Sequence, residues 1–241
     1  MIRGVLFDKD GTLLEYDSTQ HHIYAALLAC LKDEHQVPDA LLDQLSEALG
    51  LVPDGIAHDS VLQSSTNEQI AQALSETCRR HAEEHGRQQP FDAEDLLELI
   101  EQLSLGEDVP YVALPHVPET LSYLKRKGYR LGVATVDART ATVAGLKKTG
   151  ILEHFDYLGT GDAARPKPDP FLAERFCSEC GVLPAELLIV GDGANDMLFA
   201  QNAGAHFVGI AADGSGASSA FRDSGQRSVA DIRDIIGVFG L

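Results

Sequence analysis

The sequence predicts an α/β protein with an inserted helical domain. From residue 111 onward, short apolar segments rich in β-branched residues alternate with amphipathic helical segments, which is typical of a parallel sheet covered by helices on both faces. Residues 4–8 have the same strand character but are separated from that region by residues 15–113, where the apolar spacing is helical throughout. These observations predict a Rossmann-like core, residues 1–14 plus 114–241, and an all-α cap domain, residues 15–113.

The inserted segment carries four predicted helices and no predicted strand. Ser65-Thr66-Asn67-Glu68 has the form of a capping box at the start of the third helix. Breaks between the helices are indicated by Pro38, Pro53-Asp54-Gly55 and Gln89-Pro90. The predicted helices span residues 18–34, 38–50, 66–87 and 93–104.

The second half of the chain alternates helices and strands in a fixed order. Helical spacing and β-branched runs define each element. The predicted helices are 117–127, 139–149, 169–181, 194–203 and 228–237, and the predicted strands are 129–135, 156–158, 187–191 and 207–210. An insertion placed directly after the first strand is expected to act as a lid over that strand's carboxyl end.

Composition excludes several classes of partner. The net charge is −18 over 241 residues, and residues 15–113 alone contribute −16 of it. Nucleic acids and anionic membranes attract basic surfaces, so neither is expected as a partner. The start of the chain has no signal-peptide pattern, and four scattered cysteines do not form a disulfide framework. We therefore expect a cytoplasmic protein, a monomer or a homodimer.

Two aspartates follow the first strand directly. Asp8 and Asp10 are separated by one residue, so they point to the same side if the extended geometry continues. In open α/β sheets, ligands bind at the carboxyl ends of the strands. One carboxylate can act as nucleophile or metal ligand and the other as acid or base. The same residues also fit a strand that ends in a polar turn.

Three further sites with polar side chains lie at the ends of other predicted strands. Thr135 ends one strand, and Lys167 lies between two prolines in a stiff loop. Asp192 and Asp196 stand at the junction between a strand and a helix. Each has an ordinary structural explanation, but all of them fall at the same edge of one predicted sheet.

These residues resemble the four motifs of the haloacid dehalogenase superfamily, in the expected order. The chain looks like the subfamily with a helical cap inserted after the first strand, as in phosphoglycolate phosphatases. The resemblance covers essentially the whole chain. The matching segments are Asp8-Lys9-Asp10-Gly11-Thr12, Thr135, Lys167 and Gly191-Asp192-Gly193-Ala194-Asn195-Asp196.

The resemblance implies a Mg²⁺-dependent phosphatase acting on a small phosphorylated metabolite. Asp8 would be the nucleophile and Asp10 the acid and base, while Lys167 would neutralise Asp8 and the phosphoryl group. Thr135 would bind a phosphate oxygen, and Gly11 and Thr12 complete the phosphate-binding set. The implied Mg²⁺ ligands are Asp8, the main-chain carbonyl of Asp10, Asp192 and, directly or through water, Asp196.

Other activities within and outside this family remain as alternatives. Haloacid-processing relatives lack an acid at the position of Asp10, and phosphonate hydrolysis needs a cap lysine, for which Lys32 is the only candidate. A phosphosugar mutase shares nearly the same motifs. A non-enzymatic phosphoacceptor or regulatory protein is a further alternative, although Asp10 favours turnover.

Two features depart from the family pattern or stand outside it. Val136 occupies the place where relatives often carry an asparagine that helps to bind phosphate, and Asp137 follows it. Cys177 and Cys180 form a Cys-x-x-Cys pair within a predicted helix, where packing is the simplest role. The acidic insertion is expected to disfavour polyanionic leaving groups.

Overall fold

The computed structural model describes residues 1–52, 55–57, 60–163, 165–211 and 216–241. The chain divides into two compact units. The sheet unit comprises Met1–Glu15 and Tyr111–Leu241, and the helical unit comprises Tyr16–Pro110. The predicted break at Pro53-Asp54 lies outside the described residues.

The two units together contain the following strands and helices. Within the described residues the strands are β1 (Gly4–Phe7), β2 (Leu51–Val52), β3 (Gly55–Ile56), β4 (Arg130–Ala134), β5 (Tyr157–Gly159), β6 (Leu187–Gly191), β7 (His206–Ile210) and β8 (Arg227–Val229). The α-helices are α1 (Asp17–Asp33), α2 (Asp39–Leu49), α3 (Val61–Ser64), α4 (Asn67–Glu84), α5 (Ala93–Ser104), α6 (Val117–Arg126), α7 (Arg139–Lys148), α8 (Phe171–Cys180), α9 (Ala194–Ala203), α10 (Gly216–Asp223) and α11 (Asp234–Phe239). Short 3₁₀ helices occupy Leu152–His154 and Pro184–Glu186.

The sheet unit is built on six strands in the order β5-β4-β1-β6-β7-β8. Every neighbouring pair in this sheet is parallel. The central strand β1 pairs with both β4 and β6, and Phe7 is level with Val133 on one side and Val190 on the other. The predicted parallel α/β fold is therefore confirmed.

Side chains of β1 alternate between two hydrophobic cores. Val5 and Phe7 belong to one core, which also takes buried residues of α6, α7 and α11. Leu6 belongs to the other, which takes buried residues of α8, α9 and α10. Because successive strand residues point to opposite faces, this division shows that helices cover both sides of the sheet.

The helical unit has a core of its own. Buried leucines, isoleucines and one tyrosine from α1 to α5 form a single cluster, with Tyr24, Leu45 and Leu96 fully buried. Thr66 caps α4 because its hydroxyl accepts from the Gln69 N–H at 3.3 Å, while the Gln69 side chain accepts from the Thr66 N–H at 2.9 Å. The predicted capping box is thus displaced by one residue, since Thr66-x-x-Gln69 and Ser65-x-x-Glu68 both satisfy the local pattern.

The helical unit also contains two short strands that the sequence does not predict. Leu51–Val52 and Gly55–Ile56 pair in an antiparallel manner directly after α2. Gly50 ends α2 with a φ of 73°, a left-handed conformation that glycine adopts easily. The prediction that this segment contains no strand is therefore wrong. The sequence does not reveal these strands because two residues are too few to show an alternation of apolar and polar side chains.

The carboxyl-terminal region also differs from the prediction. The predicted helix 228–237 is wrong in its first half, because residues 227–229 form the edge strand β8 and the helix spans only Asp234–Phe239. Helix α10 was not predicted. Val229, Ile232 and Ile235 are buried in one core, and their spacing of three residues imitates a continuous helix. No helix among the described residues is long and apolar enough to span a membrane.

We expect the Thr66→Ala variant to lower the free energy of unfolding of the helical unit by about 1 kcal/mol, because it leaves the amide of Gln69 without its cap. Urea unfolding followed by far-ultraviolet circular dichroism measures the change. Gln72→Ala, at an exposed site in the same helix, is the matched control and should have little effect. Equal stability of Thr66→Ala and the wild type would contradict the role of the cap.

Candidate active site

The predicted site residues cluster where β1 and β6 end. Asp8 directly follows β1, and its main-chain N–H donates to the carbonyl of Val190 in β6 at 2.8 Å. Asp192 follows β6, which ends at Gly191. The parallel register therefore brings two carboxylates that are distant in sequence to the same edge of the sheet.

Lys167 joins two of the aspartates. Its ammonium group lies 2.6 Å from Asp8 Oδ1 and 2.6 Å from Asp196 Oδ1. The lysine is 8% exposed and Asp196 is 4% exposed, so both ion pairs are shielded from water. Burial alone would lower the pKa of Lys167, but the carboxylates of Asp196 and Asp8 outweigh it and keep the ammonium charged.

Asp196 is held from both sides. Its Oδ1 accepts from Lys167, and its Oδ2 accepts from the main-chain N–H of Gly193 at 3.1 Å, in the first turn of α9. A Cβ atom on Gly191 would lie 2.3 Å from the Asp196 carboxyl carbon, so only glycine allows this approach. Both carboxylate oxygens of Asp196 thus have protein partners.

Asp8, Asp192 and Asp196 together offer a set of oxygen ligands for a cation. One oxygen of each lies within 4.8 Å of the others. Gly11, with a φ of 74°, lets the chain pass close to Asp192, since a Cβ there would lie 2.2 Å from Asp192 Oδ2. Hard carboxylate oxygens suit Mg²⁺, so the donor set fits that ion.

Among the described residues, the carboxylates of Asp8, Asp192 and Asp196 outnumber the one ammonium group that contacts them. Burial and the neighbouring Asp196 raise the pKa of Asp192 to about 7. Burial also raises the pKa of Asp8 well above its ordinary value, despite the opposing effect of Lys167. A divalent cation bound among these carboxylates would relieve their mutual repulsion.

A second lysine pairs with Asp10, which the sequence did not indicate. Lys9 Nζ lies 2.9 Å from Asp10 Oδ2 and 2.7 Å from Asp137 Oδ2, and the Lys9 side chain is 1% exposed. Burial alone would lower the pKa of Lys9, but Asp10 and Asp137 raise it. Burial raises the pKa of Asp10, against the opposing effect of Lys9. The one signal in the sequence was a lysine where an apolar strand ends.

The remaining predicted residues also lie in the sheet unit. Thr135 directly follows β4, is 1% exposed, and its hydroxyl accepts from the main-chain N–H of Asp137 at 3.1 Å. The hydroxyl of Thr12 is buried and has no hydrogen-bond partner among the described residues. The N–H of Gly11 donates to the carbonyl of Leu14 at 2.8 Å.

A cavity of about 370 Å³ opens next to the acidic cluster. Thr12, Asp192 and Asp231 are its polar lining residues, and Leu114 and Val117 are among its apolar lining.

Known proteins resemble this chain in sequence and in fold. The chain is 30% identical over 208 residues to phosphoglycolate phosphatase of Nitrosospira multiformis, a match covering 85% of this chain and 81% of that protein. It is 42% identical over 96 residues to pyrophosphatase PpaX of Bacillus velezensis, but this match covers only 39% of the chain and 44% of the pyrophosphatase.

A solved structure and a family model complete the comparison. The structure of a predicted phosphoglycolate phosphatase from Haemophilus somnus superposes with a TM-score of 0.69 at 21% identity, covering 99% of this chain and 98% of that one. At this identity the likeness shows the fold alone. The family model for haloacid dehalogenase-like hydrolases matches residues 2–204. Together with the long match to the Nitrosospira protein, this shows that the chain belongs to the haloacid dehalogenase-like hydrolase family.

Proposed function

We propose that this chain is a Mg²⁺-dependent phosphatase that hydrolyses a small phosphate monoester through an aspartyl-phosphate on Asp8. The observation that carries the proposal is the contact of Asp8 with Lys167, beside Asp192 and Asp196, at the carboxyl end of the central strand. Phosphoryl transfer requires a positioned nucleophile and positive charge around the transferred group, and this arrangement offers both. The names of the phosphatase relatives support the same reaction class.

The metal would be held by Asp8, the main-chain carbonyl of Asp10 and Asp192. Bound there, Mg²⁺ would supply positive charge against the phosphoryl oxygens. Asp196 would complete the ligand set directly or through water, and it also holds Lys167, because its oxygens accept from the Lys167 ammonium and from the Gly193 N–H.

Asp8 and Asp10 divide the chemistry between them. One carboxylate oxygen of Asp8 attacks phosphorus in line with the departing oxygen, while Lys167 neutralises the charge of Asp8 and of the phosphoryl group. Asp10 gives a proton to the leaving oxygen and then removes one from the water that hydrolyses the aspartyl-phosphate. Burial raises the pKa of Asp10, which favours the protonated form needed for the first step.

Phosphate oxygens would be bound by groups around Asp8. Thr135 offers its hydroxyl hydrogen, because the hydroxyl oxygen accepts from Asp137. Thr12 offers a buried hydroxyl without a partner among the described residues. The amide of Gly11 is engaged with Leu14, so Gly11 contributes the tight turn that brings the chain past Asp192.

The Asp8→Asn variant should lose at least about a thousandfold in phosphate release, because an amide of the same shape cannot form the aspartyl-phosphate. Release of inorganic phosphate in the presence of Mg²⁺ measures the loss. Asp223→Asn, which removes an exposed carboxylate from α10, is the matched control and should keep the wild-type rate. A wild-type rate in Asp8→Asn would contradict the covalent mechanism.

The Asp192→Asn variant should be more stable than the wild type above pH 7 when divalent cations are removed by a chelator. In the folded protein the pKa of Asp192 is raised to about 7. The contribution of this group to the free energy of unfolding is therefore fully present below its ordinary pKa, and it is lost as the pH rises through about 7. We expect the thermal midpoint to rise by at least about 2 °C at pH 8 and less at pH 5.

Added Mg²⁺ should make the wild type thermally more stable than Asp192→Asn, the reverse of their order without divalent cations. The wild type should gain thermal stability with Mg²⁺ because the ion binds the folded state, whereas Asp192→Asn should gain much less. Differential scanning fluorimetry at both pH values provides the measurement, and Asp223→Asn should behave as the wild type. An equal Mg²⁺ response of Asp192→Asn and the wild type would exclude Asp192 as a ligand.

Small monoesters should be better substrates than pyrophosphate or phosphorylated oligonucleotide ends. The helical unit has a large excess of acidic residues, which repels polyanions at low ionic strength. We expect kcat/KM for the best monoester to exceed that for pyrophosphate by at least about tenfold, with the gap narrowing as salt is added. A screen of phosphate esters, scored by inorganic phosphate, tests this. Preferred turnover of pyrophosphate would contradict the charge argument and favour the activity named for the PpaX relative.

A further inference from the structure

The buried ammonium of Lys9 connects Asp10 to a second, unassigned carboxylate. Lys9 Nζ lies 2.9 Å from Asp10 Oδ2 and 2.7 Å from Asp137 Oδ2. The same nitrogen lies 5.9 Å from the centre of the Tyr111 ring. Asp8 does not share this lysine, because Asp8 pairs with Lys167. The two aspartates after β1 therefore have separate cationic partners.

The pairing distinguishes the two oxygens of Asp10. Oδ2 faces Lys9, whereas Oδ1 is buried and has no hydrogen-bond partner among the described residues. An acid that serves a leaving group must present one oxygen free of protein partners. Lys9 holds the other oxygen and thereby determines which one is presented.

Asp137 is itself fixed by the main chain around it. Its N–H donates to the hydroxyl of Thr135 at 3.1 Å, and its carbonyl accepts from the N–H of Gly161 at 2.6 Å. These bonds attach Asp137 to the end of β4 and to the segment after β5. Through Lys9 and Asp137, Asp10 is therefore connected to the end of β4, whereas its own turn follows β1.

A purely structural role does not explain this arrangement well. Burying an ammonium group is costly, and an apolar residue at the end of a buried strand would avoid that cost. The two acidic side chains that meet the ammonium offset this cost, and one of them is the proposed proton donor. Removing Lys9 would leave Asp10 and Asp137 facing each other without a cation between them.

We propose that Lys9 and Asp137 are positioning residues for Asp10: they hold Oδ2 so that Oδ1 is aligned to give its proton to the leaving oxygen. The inference rests on the proposed function, since it concerns the proton-transfer step of that reaction. It also assigns a use to Asp137, for which the sequence predicts no role.

The test compares leaving groups that do and do not need a proton. 4-Nitrophenolate leaves as a stable anion, whereas the alkoxide of an alkyl ester must be protonated as it departs. The parameter is kcat/KM, which covers only the steps through formation of the aspartyl-phosphate and so excludes the later hydrolysis by Asp10. The substrates are 4-nitrophenyl phosphate and phosphoglycolate, or the best alkyl ester of the screen described above.

We expect Lys9→Met to lower kcat/KM for the alkyl ester by about 10- to 100-fold and that for 4-nitrophenyl phosphate by less than about threefold. Asp137→Asn should show the same pattern with a smaller loss. The double variant should be no worse than Lys9→Met alone, because both changes disrupt one arrangement. Lys148→Met, which removes another lysine near the Tyr111 ring, is the matched control. It should leave the ratio of the kcat/KM values for the two esters unchanged.

Equal losses on both esters would overturn the proposal, because they indicate a general structural defect. Additive effects in the double variant would also contradict it. A wild type that releases phosphate from neither ester would contradict the proposed function instead. In that case, crystal structures of the wild type and Asp137→Asn still test the positioning role: an unmoved Asp10 side chain in the variant would overturn it.

Discussion

The pairing of buried carboxylates with two buried lysines is the interaction on which the rest of the site depends. Lys167 bridges Asp8 and Asp196, and Lys9 bridges Asp10 and Asp137. Acidic groups so close together repel one another strongly in a medium of low dielectric constant, and each lysine offsets part of that repulsion. The lysines remain fewer than the acids, because Asp192 completes a set of five carboxylates against two ammonium groups. This imbalance is the physical reason to expect a divalent cation.

The parallel sheet makes this concentration of charge possible. Strands β1, β4 and β6 run side by side in the same direction, so the residues that follow them emerge at one edge. Their backbones are already paired within the sheet and their apolar side chains fill two cores, which makes the edge a rigid platform. Charged side chains mounted on such a platform keep short ion pairs without large losses of conformational freedom at the moment of reaction.

The family relationship and the geometry answer different questions. Membership in the haloacid dehalogenase-like hydrolases rests on a family model over residues 2–204 and on a long match to one phosphatase. The relatives carry two different substrate names, phosphoglycolate and pyrophosphate, so similarity alone does not select a substrate for this chain. Two features of this chain carry the proposals beyond the family. The acidic excess of the helical unit supports the choice of small monoesters as substrates. The separate lysine partners of Asp8 and Asp10 support the positioning role of Lys9.

The sequence by itself determined the order of the strands and α-helices of the sheet unit as far as β7, and the edge at which Asp8, Lys167 and Asp192 meet. Those features follow from apolar periodicity and from the rule that parallel strands end on the same side. Elements without such a pattern were decided only by the tertiary structure, among them the two-residue strands β2 and β3 and the edge strand β8. The same holds for the Lys9–Asp137 pair. Residues 9 and 137 are far apart in sequence, and nothing local indicates that a lysine between two aspartates will turn toward a neighbouring strand. That choice depends on burial and on where the opposite charge lies, which only the folded chain defines.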